Sequence, residues 1–167
     1  MGRELKKSAE KQIRDLLRKH QYPPLEVIIP ILEKSGRGEQ ELAAQVSETD
    51  LSVIKGIKEI LGLKDNNMKT VAKVLEIYMA FGGVAFQPVE STESKVAISI
   101  SDCPMVHVSK DVGLNVKSKF CDLICASAAK VISDVVLSPK KGITTWDKSL
   151  IKGTGKCTVA FELVNDR

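Results

Sequence analysis

What this sequence has little of narrows it first. Aromatic residues make up only 4% of its 167 residues. That is too few for the interleaved aromatic and basic surface with which single-stranded nucleic acids are bound. No apolar run approaches the roughly 18 residues that suggest a membrane span, so no membrane partner is expected. The opening MGRELKKSAEKQ is charged and no apolar signal core follows it. It begins Met-Gly, yet Lys6 stands where a myristoylation motif wants Ser or Thr. These features point to a cytoplasmic protein. Thiols there are normally reduced, so four cysteines do not read as two disulfides. Net charge is only +4, and seven Lys or Arg against three acids fall within residues 1–19. The basic excess therefore belongs to a first helix rather than to the whole surface.

What is there is a globular composition, 43% apolar and 28% charged, which argues against wholesale disorder. The length suits one domain with a helical N-terminal extension. Ala9, Ile13, Leu16, Leu17 and His20 share one face of a helix over residues 4–20. QYPP breaks it, because Pro23 and Pro24 cannot continue a helix interior. A second helix is expected from Leu25 to Lys34, with Pro30 as a kink, and SGRG ends it. A short helix over residues 39–46 should lead to a turn, SETD, in which Thr49 or Asp50 caps a helix from Leu51 to Leu61. Met68, Val71, Ala72, Leu75, Tyr78 and Met79 then mark the stripe of a helix over residues 67–81.

The second half changes character. VAFQPVES and KVAISIS have the alternation and β-branching of strands, with Val96, Ile98 and Ile100 facing one way. Asp102 is placed to cap a short helix that starts near Pro104 and runs to about Asp111. Val116 to Val136 reads as a long helix, with Val116, Phe120, Leu123, Ile124, Ser127 and Val131 as its core stripe and Cys121, Cys125, Ala128 and Ile132 beside it. Ser118, Lys119, Asp122, Lys130 and Ser133 form the polar arc. ITTWDKSLI and KCTVAFELV read as a hairpin. The expected class is α+β: a helical N-terminal region, residues 1–66, and an α+β domain, residues 67–167, with a small antiparallel sheet against a long helix.

The four cysteines raise the functional question. Cys103 and His107 are four apart, as are Cys121 and Cys125, and Cys157 lies on the last strand. Thiols four apart on a helix are about 5 to 6 Å apart at Cβ, too far for the roughly 3.5 to 4.5 Å of a disulfide. A shared metal suits that spacing better. Zinc wants four ligands, and five candidates exist: Cys103, His107, Cys121, Cys125 and Cys157. An iron–sulfur cluster is the less favoured cofactor, since its closely spaced cysteine runs are absent. Two other readings stay open. Free cysteines often just fill a core, and Cys103, near a helix start with Asp102 and His107 close in sequence, has the neighbours of a nucleophile.

The segments ISISDCPMVHVSKDVGL, KFCDLIC and LIKGTGKCTVAFEL, within about residues 67–164, resemble the 2-amino-thiazoline-carboxylate hydrolase-like proteins and, more distantly, the four-vinyl-reductase type of small-molecule-binding domain. The resemblance implies a sheet and helices around a ligand pocket, often in a homodimer, with a cysteine-rich zinc site near the pocket at Cys103, Cys121, Cys125 and Cys157. It also implies, as an alternative, a hydrolase of cyclic amidine- or amide-type C–N bonds that uses Cys103 or a metal-bound water. The family pattern has one cysteine in the helix where this chain has two, which leaves the fourth ligand open. A competing class comes from residues 25–64, whose helix, ELAAQV and turn have the spacing of a helix-turn-helix regulator. DNA is the weaker partner, because the candidate recognition helix offers Ser52, Lys55 and Lys58 but no Arg, Asn or Gln.

Overall fold

A computed structural model describes residues 2–19, 25–34, 36–107, 112–153 and 155–164. The expectations for His20, for Pro23 and Pro24, and for the end of a helix near Asp111 lie outside them. Helices α1 (Gly2–Lys19) and α2 (Leu25–Glu33, with Pro30 inside) fall where the apolar spacing places them. Next come α3 (Arg37–Ile60) and α4 (Met68–Phe81), the latter capped by the Asn67 side chain, which accepts from the Thr70 backbone N–H at 3.0 Å.

The expected break at SETD is absent: α3 is one helix of 24 residues. Ser47, Thr49 and Asp50 favour caps only when their side chains have no better partner. Here the Ser47 hydroxyl meets that of Ser127 at 3.1 Å, and buried Asp50 accepts from the Tyr78 hydroxyl at 2.9 Å. These tertiary bonds hold both residues inside the helix. The same continuity removes the turn that a helix-turn-helix needs.

Strands β1 (Ala85–Ser91), β2 (Lys95–Asp102), β3 (Gly142–Asp147) and β4 (Cys157–Leu163) form one antiparallel sheet in the order β1-β2-β4-β3. Its register pairs Val96 with Phe161, Ile98 with Val159 and Ile100 with Cys157, all buried. This double row of directly opposed apolar side chains packs on the helices as one core, which also takes in Ile13, Val53, Leu75 and Ile132. The helices of the first sixty residues thus share a core with the second half. The mixed helix-and-sheet class expected from the sequence holds, with the sheet packed against the long helical segment over residues 114–137.

That segment is not one uniform helix. Helix α5 (Leu114–Phe120) and helix α6 (Ala126–Leu137) are joined by a π turn over Cys121–Cys125, in which the Ala126 N–H reaches back five residues to the Cys121 carbonyl. A π turn holds an extra residue per turn, so each of its residues rotates the chain by less than 100° and faces computed at 100° per residue drift beyond it. Ser133, placed by spacing on the polar arc, is therefore buried, while Val131 is only half-buried. Helix α6 also approaches β3 closely. A Cβ on Gly142 would lie 2.6 Å from the Ser133 hydroxyl oxygen and 2.7 Å from Leu137 Cδ1. Gly142→Ala should thus lower unfolding free energy by about 1–3 kcal/mol in a denaturant titration, and an unchanged midpoint would show that α6 can withdraw freely.

Candidate functional site

The four cysteines are brought toward one region by three separate elements. Cys103 follows β2 and precedes a 3₁₀ turn, Pro104–His107. Cys121 and Cys125 open and close the π turn. The β2–β4 register puts Cys157 opposite Ile100, three residues before Cys103. All four are free thiols.

Their surroundings set their ionisation. A hydrogen bond between the Cys121 and Cys125 thiols makes Cys121 the acid of the pair: that bond, then the nearby Lys148 charge, lowers its pKa. The same bond and then burial push Cys125 well above the usual thiol value. Burial raises Cys103 and Cys157, and each also feels Cys121. Lys148 is itself held near Cys121 by an ion pair with Asp122. A nucleophilic cysteine needs its thiolate, and burial works against that at Cys103. His107, exposed, directs Nε2 at Asp102 Oδ1 across 2.5 Å, so the imidazole is paired with the carboxylate that follows from β2. Among the described residues, no group of three or more His, Cys, Asp or Glu side chains is arranged to hold a metal ion. As they stand, the donors do not form the four-ligand set that zinc takes.

Beside the thiols lies an apolar cavity of about 540 Å³. Val53 from α3, Met79 from α4 and Ile124 from the π turn, all buried, form its deeper wall, and half-buried Tyr78 of α4 also lines it. Leu17, Leu25, Phe81, Gly82 and Val84, each half-buried or exposed, belong to its outer part. Cys103 and Cys125 are both in the lining, whereas Cys121 and Cys157 are not. Arg14 of α1 stacks over the Phe81 ring at 5.3 Å and is also engaged by Glu10. A volume of this size falls within the roughly 300–1,000 Å³ of small-molecule sites.

Periodicity singled out the cysteines but missed Asp50. It lies one turn before Val53 on α3, is fully buried, and meets the hydroxyl of the cavity-lining Tyr78. A signal existed: Val46, Asp50, Val53, Ile54 and Ile57 recur at helical spacing, which places a carboxylate in an apolar stripe. Tyr78 was on the expected stripe, but its hydroxyl had no assigned partner.

No described protein family matches the chain, and no curated protein does. Among solved structures, a trafficking protein particle complex subunit 3 from Naegleria fowleri, covalently bound to palmitic acid, is similar in fold with a TM-score of 0.52. The two share 11% identity over 96% of this chain and 97% of that one. An H-NOX domain from Shewanella oneidensis in its Fe(II)CO state aligns with a TM-score of 0.46 at 13% identity, over 92% of this chain and 88% of that one. At 11% identity the likeness to the first of these is one of fold alone.

Proposed function

We propose that this protein is a small-molecule-binding domain whose cavity takes an apolar, chain-like ligand. The single observation that carries this is the cavity of about 540 Å³ walled by side chains from α1, α3, α4 and the π turn. A soluble domain that had no use for such a space would gain stability by filling it, because voids forfeit dispersion contacts. The palmitic acid carried covalently by the Naegleria fowleri protein supports a ligand of this shape. Binding would draw on burial of apolar surface at about 25 cal/mol per Å², with the neutral Cys103 and Cys125 thiols as weak donors to one polar group. Displacement of an environment-sensitive apolar dye by saturated alcohols of increasing length tests the reading. Affinity should rise with each methylene until the cavity is full. Affinity that ignores chain length would refute it.

A second reading keeps zinc, and one observation favours it: the thiols of Cys103, Cys121 and Cys125 stand near enough to shift one another's ionisation. Zinc bound there would stabilise the fold through thiolate ligands, Cys103, Cys121, Cys125 and Cys157, with His107 as the alternate. Metal analysis after anaerobic purification should then find about one zinc per chain, lost on Cys121→Ser. A stoichiometry near zero would leave the cysteines as cavity and core residues.

A further inference from the structure

The sheet ends in two edges, and only one of them is protected. Edge strand β1 carries Pro88, which has no N–H to offer, and its register with β2 shifts between Ala85 and Phe86 and again between Pro88 and Glu90. Proline and bulges are the usual means by which an edge is kept from pairing with another chain. Edge strand β3, GITTWD, holds no Pro, Lys or Arg, and its register with β4 runs unbroken from Gly142 to Asp147. The Val164 N–H bonds the Lys141 carbonyl, while the Leu163 N–H turns the other way, to the Ser94 carbonyl. Antiparallel bonding alternates, so Ile143, Thr145 and Asp147 bond toward β4, and Gly142, Thr144 and Trp146 direct their N–H and C=O outward. No described residue bonds these outward groups.

We propose that β3 is an interaction edge whose partner is the β3 of a second copy of this chain, paired antiparallel about a twofold axis at Thr144. The bonding pattern selects that axis. It sets Thr144 against its own copy and Gly142 against the second copy's Trp146, so every outward N–H and C=O finds its mate. An axis at Thr145 would carry Gly142 past the end of the second copy's β3 and leave its bonds unmade. The axis at Thr144 is also self-complementary in charge, as an isologous contact requires. By alternation, Lys141 shares the solvent-facing row with Ile143, Thr145 and Asp147, all exposed. Lys141 falls opposite the second copy's Asp147, and Asp147 opposite its Lys141. Between these two pairs Ile143, 57% exposed, falls opposite Thr145. Opposite charges and β-branched side chains set directly across paired strands stabilise the pairing. The two sheets then run on as one, and both unprotected edges are covered.

Sedimentation equilibrium of the full chain should show a reversible dimer with a dissociation constant of about 10–100 µM, as suits a small contact built on backbone bonds. Lys141→Glu sets Glu against Asp147 twice and should weaken the dimer about tenfold or more. Thr144→Pro removes the N–H at the axis, which β4 does not use, and should leave a monomer. In a sample that mixes labelled and unlabelled chains, an intermolecular NOE should join the α-protons of Ile143 and Thr145, which face each other in a non-hydrogen-bonded pair. A chain that stays monomeric up to about 1 mM would overturn the proposal. So would a dimer that Lys141→Glu leaves unweakened, or one that lacks the contact between Ile143 and Thr145. If Thr144→Pro fails to fold, Lys141→Glu and the NOE still decide.

Discussion

Replacing Val84 with tryptophan should weaken binding of long-chain alcohols by at least about a hundredfold while leaving the fold intact. Val84 follows α4 through Gly82 and Gly83, is half-buried, and lines the outer part of the cavity. An indole there occupies space that a ligand needs, and because Val84 is only half-buried the usual cost of overpacking a closed core does not apply. The ligand loses the outer contacts that exclude water from its chain, and about a hundredfold in affinity corresponds to roughly 2.8 kcal/mol, the burial of three or four methylenes. The measurement is dye displacement on both proteins, alongside a thermal melt. Unchanged affinity in a folded Val84→Trp protein would place the binding site elsewhere.

The largest expected effect on stability is at Phe161. It is fully buried in the middle of β4, directly opposite Val96 on β2. Thr144 is opposite it on β3, so β4 is paired on both sides at this residue. Phe161→Ala removes the largest of the fully buried side chains from the face that the sheet presents to the helices. Such truncations cost about 3–5 kcal/mol, the transfer of the ring plus the void it leaves. Total stabilities run at roughly 5–15 kcal/mol, so the variant should unfold at far lower denaturant or fail to accumulate. A loss under about 1 kcal/mol would mean that the sheet and helices can close over the gap.

How much of this was legible in the sequence depended on whether a residue's partner was local. Helix α4 follows from the spacing of Met68, Val71, Ala72, Leu75, Tyr78 and Met79, all within one stretch of chain. The paired strands β2 and β4 follow from alternation of Val96, Ile98 and Ile100 and of Cys157, Val159 and Phe161. Helix α3 was misread because Ser47 and Asp50 find partners 80 and 28 residues away, on Ser127 and Tyr78. Local propensity could not weigh those bonds against a cap. The π turn was invisible for a related reason: CDLIC holds no Pro or Gly to mark it, and it lies where Cys121 packs in one buried cluster while Ile124 and Cys125 pack in the other. The cysteines could be named as a group from sequence, and the elements that carry them do converge. That only Cys103 and Cys125 reach the cavity wall depends on the rotation at the π turn and on the β2–β4 register.

The claim that the cavity is a ligand site is tested most directly by mapping where an apolar ligand binds. In a two-dimensional amide and methyl NMR titration with decan-1-ol, saturable shifts should appear at Val53, Tyr78, Met79, Val84 and Ile124, with Ile143 and Val159 on the far strands unmoved. Shifts confined to the sheet, or none that saturate, would contradict the account.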